Sequence, residues 1–142
     1  MPDTAKFADC SCFNLRRAAR RVTQIYEHAL APSGLKATQF SLLAVLDGSE
    51  PGVGIAMTRL AKILGTDRTT LTRNLGLVER DGLVTINAGA DSRSRLVVLT
   101  EAGRAALKCA APLWARAQAK LARHIGEDQK AFLELTRRLA AI

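Results

Sequence analysis

A short polar segment, residues 68–74, carries side chains that could contact the edges of base pairs. Arginine can form a bidentate contact with guanine, asparagine can do so with adenine, and threonine offers both a hydroxyl and a methyl group. The six candidate contact residues are Arg68, Thr69, Thr70, Thr72, Arg73 and Asn74. An ordinary solvated helix face can have the same composition, so this segment by itself leaves both interpretations open.

A second basic group follows in the segment Asp91-Ser92-Arg93-Ser94-Arg95. A guanidinium at the tip of a hairpin could enter a minor groove or bind a phosphate, and Asp91 is close enough to orient Arg93. A solvated hairpin end with a local ion pair is the alternative. Because a basic hairpin directly follows the polar segment, we predict DNA contact, with Arg93 in the groove and Arg95 at a phosphate.

Hydrophobic spacing predicts the elements that position these side chains. A helix from Met57 ends at Gly65, and a second helix, capped by Thr66 or Asp67, runs to Arg80, which together form a helix-turn-helix. Strands at 83–87 and 96–99 then form a hairpin, or wing. The residues predicted to face the core are Leu60, Ala61, Leu64, Leu71, Leu75 and Val78.

Further helices are predicted on both sides of this module. Before the module, an amphipathic helix covers about residues 12–30, and a buried helix capped by Thr38 ends near Asp47. After the module, a long helix begins at Thr100-Glu101 with Pro112 as a potential kink, and a last helix covers 127–142. The terminal helices carry more apolar surface than a single module needs. A second copy of the chain is the simplest partner, and a monomer with these helices folded over the module is the alternative.

The order of these motifs resembles the MarR family of bacterial winged-helix regulators. The resemblance is carried by Leu60-Ala61, by 67–73 (DRTTLTR), by 79–84 (ERDGLV), by Asp91-x-Arg93 and by 99–103 (LTEAG). It implies a mainly helical fold with a small β-hairpin, and a homodimer on a palindromic operator. The recognition helix would lie in the major groove and the wing arginine in the minor groove. It also implies repression relieved by a small ligand or by thiol oxidation. The chain is then one domain, 1–142, with a winged module at about 37–100 and dimerisation helices at about 10–32 and 101–142.

Composition agrees with this interpretation. The chain has 142 residues, 48% of them hydrophobic and 24% charged, which is typical of one globular domain. A net charge of +8 favours a polyanionic partner, either nucleic acid or an anionic membrane surface. No apolar run is long enough to span a membrane, and residues 1–9 lack the apolar core of a signal peptide, so a cytoplasmic protein without a membrane partner is expected. No cofactor is predicted.

Three cysteines form a second group with potential chemistry. Cys10 and Cys12 open the first helix, and Cys109 lies on the apolar stripe of the long helix, where a buried, inert thiol is expected. The segment Cys12-Phe13-x-Leu15 resembles the opening of organic-hydroperoxide sensors of the MarR family, which carry a tyrosine where this chain has Arg16. That resemblance implies that Cys12 is a reactive thiol. A helix N-terminus and nearby arginines favour the thiolate that oxidation requires.

Other uses of Cys10 and Cys12 stay open. The pair could bind a soft metal ion or arsenite, although the spacing does not identify the ion, or the thiols could be inert. A thiol-dependent enzyme is disfavoured because the sequence lacks a C-x-x-C motif, a phosphate-binding loop and paired acid and base carboxylates. The sequence therefore predicts a DNA-binding regulator rather than an enzyme.

Overall fold

The computed structural model describes residues 6–91 and 93–142, so Ser92 of the predicted turn lies outside the described residues. The prediction of a mainly helical fold with a small antiparallel sheet is confirmed. The elements in chain order are α1 (Ser11–Leu30), α2 (Ala37–Asp47), β1 (Ile55–Ala56), α3 (Met57–Leu64), α4 (Arg68–Arg80), β2 (Val84–Ala88), β3 (Arg95–Leu99), α5 (Glu101–Ile125) and α6 (Gln129–Ala140).

Helices α3 and α4 form the predicted helix-turn-helix. Gly65 ends α3 in the left-handed conformation, with φ 63° and ψ 32°, which glycine adopts at little cost. The amide of Gly65 donates to the carbonyl of Lys62 at 3.2 Å. Asp67 then caps α4, so of the two predicted caps the aspartate is the one used.

The sheet has three strands in the order β1-β3-β2, whereas the sequence predicted only the β2-β3 hairpin. The additional strand β1 is antiparallel to β3, with Ile55 opposite Val97. Gly54 precedes it with φ 77°, and a Cβ at Gly54 would lie 2.6 Å from the carbonyl oxygen of Val97. Glycine is therefore required both by the backbone conformation and by the close approach of β3.

Helix α2 lies at the centre of the core. Phe40, Leu42, Leu43 and Leu46 are all buried, as its composition predicted. The predicted cap at Thr38 is wrong, because α2 already begins at Ala37. The backbone amides at the start of α2 instead donate hydrogen bonds to longer side chains. Lys36 N–H donates to Gln39 Oε1 at 2.9 Å, and Ala37 N–H donates to Glu27 Oε1 of α1 at 2.9 Å.

The terminal helices extend beyond this core. Helix α1 packs along α5, and the Tyr26 hydroxyl donates to Gln118 Oε1 across the contact. Partial burial raises the pKa of Tyr26 above its ordinary value of 10.0. Helix α5 continues through Pro112 without interruption. Among the described helices, none has the length and apolar character to cross a membrane.

Candidate nucleic-acid interface

The N-terminus of α4 is held by a side-chain cap. Asp67 Oδ1 accepts from the Thr70 amide at 2.7 Å, and Oδ2 accepts from the Thr70 hydroxyl at 2.9 Å. These hydrogen bonds favour the ionised carboxylate and lower the pKa of Asp67 below its ordinary value of 3.8. The cap therefore fixes where α4 begins, and it also occupies the hydroxyl proton of Thr70.

Buried residues fix the rotation of α4. Leu71, Leu75 and Val78 are no more than 1% exposed, so the opposite surface of the helix faces solvent. The predicted contact residues exposed there are Arg68, Thr69, Thr72 and Arg73. Thr72 donates its hydroxyl to the carbonyl of Arg68 at 2.8 Å, which leaves the hydroxyl oxygen and the methyl group available to a ligand.

The other two predicted contact residues of α4, Thr70 and Asn74, line a cavity. Thr70 is exposed and Asn74 only half-exposed, and both line a cavity of about 290 Å³ between α4 and the helices α1 and α2. Thr23 and Thr38 line the same cavity from the other side. The structure therefore separates Thr70 and Asn74 from the outermost surface of α4, where Thr69 and Arg73 lie. Base contact by Thr70 and Asn74 stays a prediction.

The tip of the wing is shaped by Asp91. Its Oδ1 accepts from the backbone amide of Arg93 at 3.2 Å, and its carbonyl accepts from the Ser94 amide and hydroxyl, both at 2.9 Å. The sequence predicted that Asp91 orients the Arg93 guanidinium. The observed contact instead holds the backbone of Arg93, because an aspartate in a turn can bond the amide two residues later. Asp91 thus positions the start of the arginine side chain and leaves its charge free.

The wing and the start of α4 share a cleft. Arg68, Arg93 and Arg95 line this cleft of about 180 Å³, together with Asp91 and Thr58. Within residues 6–91 and 93–142, no carboxylate lies within ion-pair distance of Arg68, Arg73, Arg93 or Arg95. Their charges are therefore available to phosphates. Thr58 was not among the predicted contact residues, because a single threonine on α3 does not stand out from an ordinary solvated side chain.

A polar contact that the sequence analysis did not identify ties the wing to α5. The Thr100 hydroxyl donates to the carbonyl of Gly82 at 2.6 Å, and the Thr100 amide donates to the carbonyl of Leu83 at 3.1 Å. Thr100 also caps α5, because its hydroxyl oxygen accepts from the Gly103 amide at 3.0 Å. One residue therefore joins the end of the wing to the start of the long helix.

Comparisons with known proteins identify the group to which this arrangement belongs. The model of the MarR family matches residues 33–94. The transcriptional regulator MosR of M. tuberculosis, solved in complex with DNA, is 45% identical, covers 93% of this chain and 94% of its own, and has a TM-score of 0.83. The chain belongs to the MarR family. MosR itself is a transcriptional regulator that binds DNA.

Other relatives differ in regulatory sign. The transcriptional repressor CouR, bound to a 23-mer DNA duplex, is 31% identical, covers 99% of both chains and has a TM-score of 0.83. CouR has also been solved with p-coumaroyl-CoA. The transcriptional activatory protein BadR of Rhodopseudomonas palustris is 33% identical over 93 residues, which cover 65% of this chain but only 53% of BadR.

The cysteines lie away from the winged module. Cys10 is half-buried and Cys12 is exposed, and both line a cavity of about 360 Å³ with Phe7, Phe13, Arg16, Arg17 and Arg20. The Arg17 guanidinium lies 5.3 Å from the centre of the Phe13 ring. The expectation that Cys109 is buried is wrong, because its thiol is exposed on α5. Helical spacing placed Cys109 on the apolar stripe, but none of the described elements covers that position.

Proposed function

We propose that this MarR-family chain binds a palindromic DNA operator as a homodimer and regulates transcription there, in the cytoplasm. The observation that carries the proposal is the cleft in which Arg68 of α4 meets Arg93 and Arg95 of the wing. Arg73 is exposed on the same helix, and none of these four arginines has an ion-pair partner among residues 6–91 and 93–142. In each subunit α4 would enter the major groove and Arg93 the minor groove. The relatives are regulators rather than enzymes, and the proposal assigns no catalytic step.

The dimer is proposed from the terminal helices. Phe132, Leu135 and Leu139 lie along one side of α6 at helical spacing and are 39–51% exposed. Helix α6 contacts α5 only weakly, so this apolar side is left open by residues 6–91 and 93–142. A second copy would cover it and would set two recognition helices about 34–36 Å apart, one helical turn of DNA. Residues 10–32 and 101–142 would then form the dimerisation region around the module at 37–100.

Binding of selected duplexes tests the proposal. Sequences chosen by the protein from random duplexes should contain an inverted repeat, and the affinity should fall steeply as salt rises. Arg73→Ala should weaken binding to the selected site by about tenfold or more, because a bidentate base contact is worth ~1–3 kcal/mol. Arg116→Ala removes the same charge on α5, so it is a control that should weaken binding much less than Arg73→Ala does. A salt-independent affinity would contradict the proposal.

We further propose that the effector inserts an uncharged aromatic group between the terminal helices and the winged module. A cavity of about 280 Å³ is lined by Tyr26, Phe40 and Trp114, and it shares Thr23, Ala37 and Ser41 with the cavity beneath α4. None of the residues that line the two cavities is charged. A carboxylate placed there would lose hydration without gaining an ion pair. A ligand that reaches Thr70 and Asn74 would move the recognition helix.

The single tryptophan makes this effector proposal measurable. Trp114 stacks on Phe40 with ring centres 5.9 Å apart, so an inserted ligand should change its fluorescence. Matched pairs such as 4-hydroxybenzamide and 4-hydroxybenzoate differ mainly in charge. We expect the amides to quench Trp114 and to release DNA at lower concentrations than the carboxylates. Equal or tighter binding of the carboxylates would contradict the assignment.

A second candidate signal is oxidation of Cys10 and Cys12, whose thiols have no role in the proposed DNA or effector contacts. It is favoured by the cavity in which the two thiols meet three arginines and two phenylalanine rings, a site suited to an organic hydroperoxide. The Cys12 thiolate would attack the peroxide, releasing the alcohol and leaving a sulfenic acid, and the Cys10 thiol would then displace water to form a disulfide. Binding of a soft metal ion or arsenite by the same thiols is the alternative.

The thiol candidate is tested by DNA release. Wild-type protein treated with cumene hydroperoxide should release its duplex, and Cys12→Ser should not, whereas Cys109→Ser should behave as the wild type. Release by arsenite but not by peroxide would favour the metal-binding alternative. If Cys12→Ser leaves release by both reagents unchanged, Cys12 is not the sensor.

A further inference from the structure

The two glycines within the described α-helices have opposite surroundings. A Cβ at Gly103 of α5 would collide with the carbonyl oxygen of Leu83. A Cβ at Gly76 of α4 would meet nothing within 4 Å. Glycine in the middle of a helix lowers stability relative to alanine, because it loses more backbone freedom on folding. Packing therefore explains Gly103 but gives no reason for Gly76.

Gly76 lies on the outward surface of α4. Residues three and four positions away are its neighbours on the helix surface, and here these are Thr72, Arg73, Glu79 and Arg80, all exposed. Gly76 places no side chain on the helix surface between the two arginines. The Arg80 side chain is 73% exposed, and its one ion pair within the described part of the chain is with Asp81, at 3.6 Å on the surface. Such an exposed ion pair adds little stability, so Arg80 is available to another anion.

We propose that the sugar–phosphate backbone of duplex DNA approaches α4 most closely at Gly76, with Arg80 contacting a phosphate beside it. Glycine is used where a backbone must come close to a ligand, because any side chain would hold the two apart. Arginine is well suited to the phosphate because its planar guanidinium can donate two parallel hydrogen bonds. This inference rests on the proposed DNA binding of α4, and it adds two contact residues that the sequence analysis did not assign.

The test is a substitution that stabilises the protein and weakens its function. Gly76→Ala should raise the thermal midpoint by about 2–4 °C, because alanine favours the helix. It should weaken binding about tenfold, equally for a selected duplex and a random one, because a phosphate contact does not depend on sequence. Gly76→Leu should weaken binding further. Neither change should alter how steeply the logarithm of the affinity falls with the logarithm of the salt concentration. Arg80→Gln should reduce that slope by about 0.9, because it removes one phosphate contact.

Gly48→Ala is the matched control. Gly48 also has an ordinary negative φ, and an added Cβ would make only normal contacts, 3.5 Å from the carbonyl oxygen of Val45. This variant should bind DNA as the wild type does. Wild-type affinity or lower stability in Gly76→Ala would overturn the inference, and a loss confined to the selected duplex would assign Gly76 to base edges instead. Wild-type protein that binds neither duplex would overturn both this inference and the proposed function.

Discussion

Thr70 has a structural role that competes with its predicted role in DNA contact. Its hydroxyl donates to Asp67 as part of the helix cap, and its side chain lines the cavity below α4. Thr69 and Arg73 have no such contacts in the described part of the chain and lie on the outward surface. We therefore propose that Thr69 and Arg73 contact bases and that Thr70 couples α4 to an effector.

The Asp67 cap should make stability depend on pH. The folded-state pKa of Asp67 is lowered, so its contribution is fully present above the unfolded-state value and is lost as pH falls through the folded value. Asp67→Asn retains a neutral cap without this titration. We expect the wild type to have the higher urea midpoint at pH 7 and the difference to shrink below about pH 4. A difference that grows on acidification would contradict the cap assignment.

The two wing arginines should differ in sequence dependence. Arg93→Gln should weaken binding most on operators whose flanking minor groove is A·T-rich and narrow, because such grooves attract an inserted guanidinium. Arg95→Gln should weaken binding about equally on all duplexes and reduce the salt slope by about 0.9, as expected for one phosphate contact. Fluorescence anisotropy with A·T-rich and G·C-rich flanks measures both effects. Identical profiles for the two variants would remove the proposed difference.

At the scale of elements, the sequence predicted the helices and strands whose hydrophobic residues recur at regular spacing. Leu71, Leu75 and Val78 were enough to place and orient α4, and Gly65 was enough to end α3. Strand β1 could not be predicted, because two residues are too few to show a periodic pattern. Their pairing with β3 is set by tertiary contacts. The contact between Glu27 and the start of α2 was missed for a similar reason, since Glu27 belongs to a different helix. The bond from Lys36 to Gln39 is local, but lysine is not a typical residue at the start of a helix.

The close contact between α5 and the wing gives a prediction about Gly103. Gly103→Ala would place a methyl group against the carbonyl of Leu83 and 2.7 Å from Leu99 Cδ1. The overlap between the methyl group and these atoms is removed only if α5 moves away from the wing. We therefore expect a loss of ~1–3 kcal/mol in the free energy of unfolding, as for other overpacked sites. Urea unfolding measures this loss. An unchanged midpoint would mean that the two elements are not held together at this point.

At the scale of the whole molecule, α6 gives the clearest test of assembly. Leu135→Glu would place a carboxylate on the apolar side that the second subunit is proposed to cover, where an unpaired charge is costly to bury. Arg137→Gln changes the net charge by the same amount on the exposed polar side of α6, so it controls for the weaker attraction to DNA. We expect sedimentation to give about 15.3 kDa for Leu135→Glu and twice that mass for the wild type and Arg137→Gln. Because the dimer is proposed to contact both half-sites, only Leu135→Glu should lose the preference for a palindrome over a single half-site. A wild-type chain that sediments as a monomer yet retains this preference would contradict the link between the terminal helices and recognition.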